Sequence, residues 1–156
     1  MDWFVASSHT GRQTEENEFA IDSLKSTDIL LFGRVTYELM ASYWPTADAM
    51  KNDPIFAERM NNVPKIVFSR TLDEVKWQNS RLMKDNIEEE IKKMKNQPGK
   101  NMAILGSGSI VSTFAQRNLI DEYSIIVNLI ILGGGKSLFQ GIKDRLSFET
   151  AGNEDV

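Results

Sequence analysis

Three short segments of this sequence carry the residue types that hold phosphate. Gly33-Arg34-Val35-Thr36, Ser69-Arg70-Thr71 and Gly106-Ser107-Gly108-Ser109-Ile110 each follow an apolar run of strand length. Glycine lets a backbone approach a ligand closely, a helix start offers unpaired N–H groups with partial positive charge, and hydroxyls add neutral donors. Two arginines at parallel strand ends can grip a further phosphate through bidentate contacts. Together the segments point to a ligand with several phosphate groups, such as a dinucleotide carrying an extra monoester. Each taken alone also reads as ordinary structure: Gly106 to Ser109 as a strand-to-helix turn, Arg34 and Arg70 as solvated charges, Gly133 to Gly135 as a strand terminator.

Other phosphate motifs are ruled out by their spacing. Gly106-Ser107-Gly108 lacks the third glycine of the Rossmann fingerprint, since Val111 stands there, and no acidic residue follows about twenty positions on. Gly135-Lys136-Ser137 imitates the end of a P-loop, but the first glycine of that motif would fall at Ile130. With no Cys and a single His, at position 9, there is no thiolate chemistry and no Cys or multi-His metal site. No catalytic residue is assigned; Glu15, Glu16 and Glu18 are candidate proton donors if an apolar site keeps one protonated, and otherwise a solvated face. Eighteen Lys+Arg against 22 Asp+Glu give a net charge of −4, which argues against nucleic acid or an anionic membrane as partner. No apolar run approaches the ~18 residues of a membrane span, and the start of the chain is not that of a secretory signal, so a cytoplasmic protein is expected.

The elements that must position these segments follow from apolar periodicity. Thr14 caps a helix that runs to about Ser26, and Ile29 to Phe32 is a continuous apolar run, as a strand covered on both faces requires. Val35, Leu39 and Tyr43 recur every fourth position and predict a helix over 35–43, stopped by Trp44-Pro45. A short helix follows Pro54, Lys65 to Ser69 is a second strand, and 77–83 a shorter, more exposed one. Ile87, Ile91 and Met94 stripe the next helix, while Glu88, Glu89, Glu90, Lys92 and Lys93 face water. Met102 to Leu105 is a core strand, Ile110 to about Arg117 a helix, and 122–132 the longest strand. The alternation predicts an α/β fold, a mostly parallel central sheet flanked by helices, in a single domain over residues 1–156.

In order and spacing these segments resemble the dihydrofolate reductase-like family. The matching residues are Leu31 to Glu38, Pro64 to Leu72, Leu105 to Ile110, Leu119 to Tyr123 and Leu132 to Phe139. The nearest branch is similar to the C-terminal reductase domain of the bifunctional riboflavin biosynthesis deaminase-reductase. The resemblance implies a dihydrofolate reductase-like three-layer fold and an NADPH-dependent oxidoreductase. It further implies hydride transfer to a C=N or C=O group of a small heterocyclic or sugar-linked substrate, in riboflavin biosynthesis a ribosylaminopyrimidine phosphate. It places Gly33, Arg34 and Thr36 near the cofactor phosphates, Ser69 and Arg70 at the adenosine end and its 2′-phosphate, and Gly106, Ser107, Gly108, Ser109 and Ile110 around the pyrophosphate. Trp44, Gly134 and Lys136 would touch substrate, no metal is implied, and a homodimer is expected. Compared with the family pattern, the chain is expected to lack the first strand and the closing strands. The alternatives are a noncatalytic NADP(H)- or phosphate-binding module and a ligand-free structural dimer.

Overall fold

The computed structural model describes residues 20–98 and 101–125, together with residues 133–135, 139, 141–143, 145, 147 and 149. In chain order these form helix α1 (20–26), β1 (Ile29–Gly33), α2 (Arg34–Tyr43), α3 (Ala47–Asn52), α4 (Pro54–Asn62), β2 (Lys65–Phe68), β3 (Ser80–Met83), α5 (Ile87–Lys95), β4 (Met102–Gly106) and α6 (Gly108–Gln116). The strands make one sheet in the order β3-β2-β1-β4, every pairing parallel. Parallel neighbours need crossovers, and the crossover helices cover both faces of the sheet. On one face Leu30, Phe32 and Val67 pack with Tyr37 of α2, Ala49 of α3 and Met60 of α4. On the other, Ile29, Leu31, Ile66 and Phe68 meet Ile91 of α5 and Ile110 and Phe114 of α6. The unbroken apolar run of β1 is thus shared between two cores, which is why all five of its residues are buried.

Helix α2 forms where its periodicity places it, but the row that announced it points outward. Val35 is 60%, Leu39 56% and Tyr43 42% exposed. The side facing the sheet carries Tyr37, Met40, Ala41 and Trp44, a row at i, i+3, i+4 and i+7 that is equally apolar. Helix α3 is an element the sequence reading does not separate; Thr46 caps it by accepting from the Ala49 N–H at 3.2 Å. The expected strand at 77–83 begins only at Ser80. Trp77 precedes it as a buried plug, its indole N–H donating to Asn61 Oδ1 at 2.7 Å. The beginning of the first helix and most of the strand expected at 122–132 lie outside the described residues.

Lys65 opens β2 and is 1% exposed. Its Nζ donates to the carbonyls of Val63 at 2.7 Å and of Asn61 and Gln78, each at 3.1 Å, and lies 4.5 Å from the centre of the Trp77 ring. Burial lowers its pKa from 10.5 to about 8. Between those values the unfolded chain binds more proton than the folded protein, so this group makes stability rise with pH. Relative to Lys65→Met, the native protein is expected to gain about 1–2 kcal/mol between pH 7.5 and 9.5. Urea unfolding of both proteins at the two pH values measures the difference.

Candidate functional site

The carboxyl ends of β1, β2 and β4 meet the starts of α2 and α6 in an open cleft of about 310 Å³. Its lining includes Gly33, Arg34 and Val35 from the first junction, Phe68, Ser69 and Thr71 from the second, and Ser107, Ser109, Ile110 and Thr113 from the third. This is the edge of an open α/β sheet where loops expose backbone donors. The three segments singled out in the sequence therefore converge on one place.

Local sequence explains the shape of the junctions. An ideal Cβ on Gly33 would lie 2.8 Å from Ser107 Oγ and 3.5 Å from the Ser107 backbone N, so the β1 end stands close against the β4 end. Gly106 has φ +135° and would place a Cβ 3.0 Å from Thr36 Oγ1, so Thr36 sits behind the cleft as the spacer between the two loops. The β1–β4 register shifts between Leu31 and Phe32, from Leu31 opposite Ile104 to Phe32 opposite Gly106. That irregularity brings Gly106 level with the end of β1. The Gly106–Ser107 peptide is cis. Ser107 and Ser109 pair their hydroxyls at 2.8 Å, and Ser69 Oγ accepts from the backbone N–H of Thr71 and Leu72 at 3.2 and 3.1 Å.

Among the helix starts described, only the two at the cleft lack both a side-chain cap and a first-turn acid; α5 also lacks a side-chain cap but carries Glu88, Glu89 and Glu90 in its first turn. Neither α2, with Gly33 at its N-cap, nor α6, with Ser107, has a side-chain cap, and neither carries an acidic residue in its first turn. By contrast Thr46 and Asp53 cap α3 and α4 with their side chains. No side chain thus caps the first-turn N–H groups of α2 and α6, although at α6 the Ile110 N–H already donates to the Ser107 carbonyl at 3.0 Å, and the field at both starts favours an anion. Arg34 adds a full positive charge and is half exposed, with Nη1 2.9 Å from Glu38 Oε2. Ile110, 8% exposed, packs beneath.

Not every expected residue lies here. Gly106, Gly108 and Thr36 flank the cleft without lining it, and Arg70, beside Ser69, is exposed and outside the lining. Trp44 is 6% exposed and stacks in the core, its ring 4.8 Å from that of Phe56 and its indole N–H on Met40 Sδ, so it is a packing residue rather than a wall of this cleft. Gly134 is exposed; Lys136, Glu15, Glu16, Glu18 and His9 lie outside the described residues. Thr71 and Thr113 line the cleft without having been assigned to it. Thr113 stands one turn after Ser109 and donates to its carbonyl at 2.8 Å, a helical spacing that could have marked it.

The glycines give a direct test of this packing. Gly106→Ala, at φ +135° and with its new methyl against Thr36, is expected to cost about 1–2 kcal/mol, whereas Gly108→Ala should change stability by no more than about 0.5 kcal/mol. No atom lies within 4 Å of a Cβ at position 108. Parallel urea titrations decide it.

Comparison with known proteins gives the same outline. The family model for the RibD C-terminal domain matches residues 4–155. The uncharacterized protein YyaP of Bacillus subtilis (strain 168) is 33% identical over 128 residues, covering 82% of this chain and 68% of that protein. A crystal structure from Shewanella sp. PV-4, of a protein named for riboflavin biosynthesis, superposes with a TM-score of 0.57 at 23% identity, over 94% of this chain and 72% of that one. That likeness bears on the fold, an α/β arrangement of the dihydrofolate reductase-like kind.

Proposed function

We propose that this chain, which belongs to the RibD C-terminal domain family, is an NADPH-dependent reductase of a small heterocyclic or sugar-linked C=N or C=O compound. The observation that carries the reading is the convergence of two helix starts without side-chain caps, Arg34 and five neutral hydroxyl groups of the lining on one cleft at the strand ends. These groups suit a polyphosphate: they donate hydrogen bonds and carry positive potential. In this reading the starts of α2 and α6 receive the pyrophosphate, and Arg34 neutralises its charge. Ser69 holds the adenosine side, and Arg70 reaches the 2′-phosphate from the rim. NADPH, when bound, supplies the hydride; the chain's part is to orient the cofactor and keep water from the reacting face.

The test is thermal unfolding with NADPH, with NADH and without ligand. Saturation at ~100 times the dissociation constant adds about 2.7 kcal/mol, roughly 5–10 °C for a domain of this size. A larger shift with NADPH than with NADH is expected; none with either, in folded protein, would overturn the reading. NADPH binding with no oxidation across a substrate panel would leave a binding module. Arg70→Ala should weaken NADPH about three- to tenfold and NADH little, because only NADPH presents the 2′-phosphate. Equal losses would sink that assignment.

A further inference from the structure

We infer that Glu38 is an internal competitor for the guanidinium of Arg34, and thereby sets how tightly the cleft holds the phosphates of its ligand. The inference rests on the reading of the cleft given above. Arg34 is the first residue of α2, where a cation faces the positive end of the helix, and the first turn holds no acid to offset it. The carboxylate that does meet it belongs to Glu38, one turn further on, at 2.9 Å. This order, cation before anion at i and i+4, is the weaker of the two orientations on a helix. Both side chains are about half exposed, at 45% and 46%, so the pair is solvated and easily parted. Yet Arg34 also lines the cleft. A carboxylate at that distance cancels much of the charge that Arg34 can offer to a second anion. A phosphate entering the cleft must therefore draw the guanidinium away from Glu38, while the starts of α2 and α6 supply the additional donors that favour the exchange.

Glu38→Gln keeps the shape of the side chain and removes its charge. Fluorescence titration with NADPH, and separately with NADH, is expected to show dissociation constants about two- to fivefold lower than in the native protein, by the same factor for both. In an Arg34→Met background, with titration extended to millimolar ligand, the same Glu38→Gln change should have less than a 1.5-fold effect, because the competed group is gone. An equal tightening in both backgrounds would mean only that a nearby negative charge repels the ligand, and would overturn the competition. Unchanged or weaker binding in Glu38→Gln would overturn it as well, the second outcome making Glu38 an orienting partner of Arg34. Absence of NADPH binding in the native protein and in every variant would instead remove the reading of the cleft, and this inference with it. Circular dichroism of each variant separates these outcomes from a loss of fold.

Discussion

Phe32→Ala is expected to lower the stability of the protein by about 3–5 kcal/mol and its unfolding midpoint by about 10 °C. Phe32 is fully buried in the central strand, with β2 on one side and β4 on the other, and its ring centre lies 6.2 Å from that of Trp77. Removing the ring takes away packing for Trp77 and leaves a void between β1 and its covering helices that a two-sided parallel sheet cannot easily collapse. The informative control is Val35→Ala, three residues further along and 60% exposed. It should change stability by no more than about 0.5 kcal/mol. Chemical denaturation of the two variants reads both numbers. A large loss for Val35→Ala with a small one for Phe32→Ala would reverse the assignment of inner and outer faces.

Arg34→Ala is expected to weaken NADPH and NADH alike, by about ten- to a hundredfold, with little change in stability. A charge-assisted hydrogen bond contributes about 1.5–3 kcal/mol. Arg34 supplies charge from a position lining the cleft, and its existing pair with Glu38 is too exposed for its loss to unsettle the fold. The contrast with Arg70 is the useful part. In the proposed reading Arg34 faces the groups that both nucleotides share, so its removal should not change the preference between them, whereas Arg70→Ala should. Titration of both variants with both nucleotides gives four dissociation constants, and a preference altered by Arg34→Ala would exchange the two roles.

The sequence makes the strands and the junctions readable for the same reason. Ile29 to Phe32 is apolar at every position because both of its faces are covered, and Gly33-Arg34 and Gly106-Ser107 interrupt such runs abruptly. The glycines and the arginine could be picked out because their signal is local. Which face of α2 turns inward was not local: Val35, Leu39 and Tyr43 compete with Tyr37, Met40 and Trp44, and only the position of the sheet chooses between them. The same holds for Thr71 and Thr113, whose place in the cleft depends on how three distant junctions come together. Lys65 is the extreme case. In sequence it is a charge at the edge of an apolar run, and its burial depends on carbonyls at positions 61, 63 and 78 and on the ring of Trp77. Trp44 reads as either rim or core until Phe56 is found against it.

The order of the sheet also dictates when this protein can become itself. Among the described residues no strand pair is a hairpin, and the join beside β1 is fastened by the Asn101 N–H donating to Asp28 Oδ2, across 73 positions of chain. At ~5–20 residues per second on a ribosome, β4 is made several seconds after β1. For that interval β1, buried at every position in the finished fold, has an open side, and pairings this distant are slow to find each other even in the finished chain. The cleft depends on the same late strand, since Ser107 and Ser109 follow β4 directly. Nascent chains that stall before residue 102 would carry an apolar strand with an unpaired edge and an unfinished cleft, as expected of clients for a chaperone that shields apolar segments.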